Sequence, residues 1–176
     1  LWVPGGTKDD YGTATGWKEF TNKDYWSYVV TLTASKNGKL SVGTNEASNG
    51  STLFRLPLGE EFDATVTANT GYELTAFTDD DAAVTPLPTT TYHRANSTDA
   101  EFVALNATFT PIVYPITYDL AGGALAEGQE NPATYTIESA AITLKNPTRR
   151  GYTFEGWTGT DLTEASKSVT IAAGSI

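Results

Sequence analysis

Cysteine and methionine are both absent from the 176 residues of this chain, and His93 is its only histidine. The first absence excludes a disulfide framework, a cysteine-zinc centre and a thiol nucleophile. Without Met there is no haem held by Met and His, and any histidine-dependent triad has to run through His93. Bases are scarce: 11 Lys and Arg stand against 21 acids, for a net charge of −10. Such a chain repels phosphate, so a duplex-binding role would have to overcome that repulsion and no nucleic-acid partner is expected. No apolar run approaches the roughly 18–20 residues that span a bilayer. Nor does a basic head followed by an apolar run and a small-residue cleavage site occur. The chain opens on Leu1 and reads as an excised or processed piece of a longer protein. The lack of cysteine fits a reducing cytoplasm and a disulfide-free extracellular bacterial protein equally.

What is present is β-forming residue. Thirty residues are Thr, mixed with Val, Ile, Tyr and Phe, whose branched or aromatic side chains suit a pleated, half-buried surface. Phe62, Ala64, Val66 and Ala68 alternate with Asp63, Thr65, Thr67 and Asn69, the period-2 signature of a strand with one wet face. Similar alternation marks Val30–Ala34, Leu40–Val42, Val103–Phe109, Ile116–Leu120, Thr134–Ile137 and Val169–Ile171. Asn37-Gly38 supplies residues suited to positive φ, so Tyr28–Ser35 is expected to return through Leu40–Thr44 as a hairpin. Helix signals are few. Lys8–Phe20 has Tyr11, Ala14 and Trp17 at helical spacing, weakened by Gly12 and Gly16, and Glu138–Ala141 suits a single turn.

An internal repeat organises these strands. Gly71-Tyr72-Glu73-Leu74-Thr75-Ala76-Phe77-Thr78 aligns with Gly151-Tyr152-Thr153-Phe154-Glu155-Gly156-Trp157-Thr158, and each block follows an alternating strand and a short loop. Two copies of one unit are expected, with the boundary after Phe109, where Pro111 and Pro115 flank the start of a new strand.

The stretch from Tyr114 to Ile176 contains Ile116–Leu120, Gly122-Gly123, Asn146-Pro147-Thr148-Arg149-Arg150-Gly151-Tyr152-Thr153-Phe154-Glu155-Gly156-Trp157 and Val169–Ile171. It resembles the Listeria–Bacteroides repeat, the internalin-type B-repeat of bacterial surface proteins. Val30–Ala34, Asn37-Gly38, Gly71–Leu74 and Asn106–Phe109 are similar to a divergent form of the same repeat, with Phe77 where that form often has Trp. Leu1-Trp2-Val3-Pro4-Gly5-Gly6, with Tyr11, Ala14, Gly16-Trp17 and Phe20, looks like the end of a Bacteroides-type leucine-rich repeat. The resemblance implies a mainly β chain of two tandem small β-grasp-like units after a short N-terminal helical or loop segment. Its divisions would be 1–27 (leucine-rich repeat end), 28–111 (divergent repeat) and 112–176 (repeat lacking its last strand, which leaves an unpaired edge). It further implies a secreted or surface location on a bacterium.

Each chemistry-bearing residue has a plain alternative. Asp79-Asp80-Asp81 offers hard oxygen ligands for Ca²⁺ but lacks the spacing of an EF-hand loop, so a solvated loop is the first expectation. His93 lies in a polar stretch with no nucleophile motif nearby. Glycosidic carboxylate pairs need a deep cleft, which units this small rarely form. Arg149-Arg150 reads as a solvated basic pair, and no buried Lys, Asn and acid set suggests an isopeptide bond. Asn49, Asn96 and Asn106 match glycosylation acceptors in form only. Strand alternation through Gly151–Trp157 would put Tyr152 and Phe154 on one face and Trp157, Glu155 and Thr153 on the other. Those last three are the candidate ligand contacts, with packing of Trp157 as the competing role.

The expected function is a non-enzymatic surface module of an adhesin-like bacterial protein, with no cofactor and no metal. It would act as a monomeric spacer that contacts neighbouring repeats and a host, matrix or cell-wall ligand. The alternative is a carbohydrate-binding accessory module, which calls for a planar strip of exposed aromatics.

Overall fold

In the computed structural model the described residues are 27–95, 102–159 and 161–176. The expected N-terminal repeat end and the Lys8–Phe20 helix lie outside them, apart from Ser27. The chain divides after Thr110 into two compact units. Both are β structures, and no helix occurs among the described residues.

The N-terminal unit holds β1 (Ser27–Ala34), β2 (Gly38–Val42), β3 (Asn45–Ala47), β4 (Gly50–Pro57), β5 (Phe62–Ala68), β6 (Tyr72–Asp79), β7 (Ala82–Ala83), β8 (Thr91–Arg94) and β9 (Phe102–Pro111). One sheet has the order β4-β1-β9-β6-β7 and the other β3-β2-β5-β8. Alternation decides what each strand buries. Tyr28, Val30, Leu32 and Ala34 of β1, Phe62, Ala64 and Val66 of β5, and Val103, Leu105, Ala107 and Phe109 of β9 all join one core. The intervening Asp63, Thr65 and Thr67 of β5 are exposed. Each strand presents one apolar face, and two sheets placed face to face bury both.

The expected β1–β2 hairpin does not form. Asn37 does take a positive φ of 75°, but β1 pairs antiparallel with β4 and parallel with β9. β2 pairs with β3 and β5 in the opposite sheet. Both β1 and β2 have alternating apolar residues that belong in the core, and passing from one sheet to the other satisfies both strands. Gly38 permits the crossing at close quarters, since a Cβ there would overlap the ring of Phe109.

The C-terminal unit holds β10 (Tyr114–Pro115), β11 (Thr134–Tyr135), β12 (Ile142–Thr143), β13 (Trp157–Gly159), β14 (Leu162–Ser166) and β15 (Thr170–Ile171). They form three antiparallel pairs, β10-β11, β12-β15 and β13-β14. Side-chain amides supply links that strands provide elsewhere. Asn131 donates from Nδ2 to the Lys145 carbonyl and accepts from the Lys145 N–H through Oδ1, imitating a backbone partner. Glu138–Ala141 does not make a helical turn. The chain bends there through one β-turn, closed by the Ser139 N–H on the Thr136 carbonyl.

The two units repeat one plan. β1·β4, β5·β8 and β6·β7 in the first correspond to β10·β11, β12·β15 and β13·β14 in the second. The aligned blocks start at equivalent turns. The Tyr72 N–H donates to the Asn69 carbonyl at 3.0 Å, and the Tyr152 N–H to the Arg149 carbonyl at 3.1 Å. Gly71 and Gly151, third in each turn, have φ values of 81° and 79°. That is the type II geometry, which needs glycine at this place. Six residues on, Phe77 and Trp157 are both buried. β2, β3 and β9 have no counterpart among the strands of the C-terminal unit.

Candidate functional site

Around Trp157 the C-terminal unit builds its apolar centre from short pieces. Trp157 is 8% exposed, and its ring meets Tyr118 and Phe154 edge-on at 5.9 Å and 5.5 Å. Its Nε1–H donates to Asn146 Oδ1 at 2.9 Å, while Asn146 Nδ2 donates to the Lys167 carbonyl. The indole therefore has both the apolar contacts and the hydrogen bond that a buried Trp requires. Burial also raises the pKa of Tyr118.

The three candidate contacts are not brought together. Thr153 and Glu155 are exposed, whereas Trp157 turns inward on the side of Phe154. Alternation fails because residues 152–156 are not in a strand. Gly156 adopts φ 146°, with Ser166 N only 2.6 Å from where a Cβ would lie, and the β13-β14 register shifts just after it. This irregularity rotates Trp157 out of the phase that strict alternation assigns. Tyr152, expected to share a face with Phe154, is instead 66% exposed, with the Arg149 guanidinium 3.9 Å from its ring centre. Phe102 and Tyr152 are the exposed aromatic side chains among the described residues, one in each unit.

The acidic run is a clasp. Asp80 and Asp81 take positive φ values of 48° and 65° at the tip joining β6 to β7, a type I′ arrangement that Asp tolerates. The Asp79 carboxylate receives the Tyr92 hydroxyl at 2.6 Å and the Arg94 guanidinium. Asp80 receives Arg94 Nη2 at 3.0 Å and the Ala104 N–H at 2.7 Å. These bonds tie β6 and β9 of one sheet to β8 of the other and engage the Asp79 and Asp80 carboxylates. No group of three or more acidic or histidine side chains suited to a metal occurs among the described residues. Burial, and then the hydrogen bond to Asp79, push the Tyr92 pKa up to about 12.

His93 is exposed, with Nδ1 2.8 Å from Asp63 Oδ1 and Nε2 3.8 Å from Glu61. Its partners are carboxylates, and no hydroxyl among the described residues is hydrogen-bonded to it. Charged side chains are likewise missing from the described interior. A shallow cavity of about 350 Å³ lies between Val66, Leu74 and Leu87, with Glu73 at its rim.

Sequence reasoning missed Asn131 and Asn146, which organise the C-terminal unit, and Arg94, which closes the clasp. Both asparagines precede proline, a pairing that marks turns. For Arg94 no local signal exists, because its partners lie 14 and 15 residues away.

Residues 114–174 match the family model of the Listeria-Bacteroides repeat domain. Comparison with curated proteins and with solved structures finds no match.

Proposed function

We propose that this chain is a non-enzymatic repeat module of a bacterial surface or secreted protein. It holds other parts of that protein apart and makes contact with a host, matrix or cell-wall protein. The carrying observation is the duplication: the same Gly-Tyr turn and the same three strand pairings recur in both units, and the second unit matches a repeat domain. Repeat domains of this kind are typical of bacterial surface or secreted proteins. Repetition of small β units adds length and surface, whereas chemistry needs convergent groups in a cleft. Among the described residues Asp79 and Asp80 are engaged in the clasp, Glu61 and Asp63 lie beside His93, and Glu46 pairs with Lys39.

The test is protease shaving of intact cells that make the full-length protein. Peptides from 114–176 released without lysis are the expected result, and their retention inside overturns the surface assignment. Turnover by the purified chain on glycan or peptide panels overturns the non-enzymatic one.

A further inference from the structure

In the N-terminal unit the β5-β8 ladder stops short of the end of β5. β8 pairs with β5 as far as Thr65↔Thr91, and the Thr90 carbonyl still accepts the Val66 N–H at 2.8 Å. Beyond that, Pro88 has no N–H with which to continue the ladder. The cavity of about 350 Å³ opens here, between the end of β5, the start of β6 and residues 87–89. Its apolar lining is the edge of the core itself. Val66 belongs to the core cluster, Leu74 packs against it, and Leu87 stands 37% exposed beside them. A ligand that covers these side chains removes apolar surface from water.

The rim is charged. Glu73 is exposed and, among the described residues, takes part in no hydrogen bond or ion pair. Asp79 and Asp80, by contrast, hold Arg94, and Glu46 holds Lys39. An unpaired carboxylate over an apolar hollow is complementary to a cation carried on an apolar stem. Thr153 stands at the aligned place in the other block, so the C-terminal unit has no carboxylate there.

We infer that this cavity is a docking site for an extended segment of a partner protein in which an aliphatic residue lies two places from a basic one. In an extended chain those two side chains project from the same side. The aliphatic one enters between Val66, Leu74 and Leu87, and the basic one brings its charge to Glu73. A second copy of this chain carries the same net charge of −10 and is repelled. The inference rests on the protein-contact part of the proposed function and names the chemistry of the contact.

The probe is the peptide acetyl-Gly-Leu-Thr-Lys-Gly-amide, titrated into the whole chain while the methyl resonances of Leu74 and Leu87 are followed. A saturating shift at millimolar peptide is expected, with the Trp157 indole N–H resonance of the other unit unmoved. Glu in place of the peptide's Lys, and Glu73→Gln in the protein, are each expected to weaken binding about fivefold, as an exposed ion pair allows. Gly in place of the peptide's Leu is expected to abolish the shift. No saturable shift overturns the proposal, and so does equal binding by either altered peptide. Equal saturation by butylamine makes this a small-amine site and overturns it too, as does a shift that grows with protein concentration alone. If Glu73→Gln unfolds, the peptide comparisons still decide. Cell shaving is independent of these results, so a failed docking site leaves the surface assignment standing.

Discussion

Gly156 shows how one residue without a side chain sets a whole local structure. Its φ of 146° and the 2.6 Å approach of Ser166 N leave no room for a methyl group. Gly156→Ala is expected to cost roughly 2–4 kcal/mol through backbone strain and overpacking, read as a lower urea midpoint with loss of protection at Trp157. Tyr92 gives a residue-level prediction of another kind. Its pKa is raised to about 12 in the folded chain, against about 10 when unfolded. The folded state therefore holds that proton more tightly. The stabilisation is complete below pH about 10 and is lost as pH climbs from there to about 12. Urea midpoints measured from pH 8 to 12 should fall in that window, and Tyr92→Phe should flatten the part of the fall that Tyr92 causes. Persistence of the full decline in the variant would refute the assignment.

Among the elements, six of the fifteen strands could be read from alternation, because a sheet with one wet face writes its burial directly into residue order, whereas the expected strand Ile116–Leu120 is not one. Phe62–Ala68 and Val103–Phe109 are among the six. Pairing was less legible. Asn37-Gly38 has hairpin chemistry, yet the strands on either side part company, because two apolar faces competing for one core outweigh a local turn preference. The phase of Trp157 was hidden for a related reason: a single irregular glycine breaks the alternation on which the reading depends. Nothing local announces the Arg94 clasp either, since it joins three strands remote in sequence. Arg94 is largely shielded, with its side chain 17% exposed between Asp79 and Asp80. Arg94→Met would leave both carboxylates facing each other without a cation, at a cost of about 2–4 kcal/mol, visible as a lower thermal midpoint. In the C-terminal unit Asn146→Ala removes the acceptor of a buried indole N–H and the donor to Lys167. A loss of about 1–3 kcal/mol is expected, with faster exchange at the indole.

For the molecule as a whole, duplication was legible in the Gly-Tyr blocks, because the type II turn constrains its glycine and a buried aromatic six residues later anchors the following strand. The two units differ in how much apolar surface they bury among the described residues. This asymmetry carries a prediction about stability. Cooperative unfolding scales with the apolar surface a unit removes from water, and small units with open cores are marginal. The N-terminal unit packs two sheets around fifteen buried apolar side chains, while the C-terminal unit relies on Trp157, half-buried neighbours and side-chain amide links. Unfolding in urea should therefore proceed in two steps, with residues 111–176 losing amide protection before residues 27–95 and 102–110. Mass-resolved hydrogen exchange at stepped urea concentrations would separate the steps, and one shared transition for both sets of peptides would contradict the independence of the units. Gly38→Ala, which drives a methyl into Phe109, should lower the second transition and leave the first unchanged.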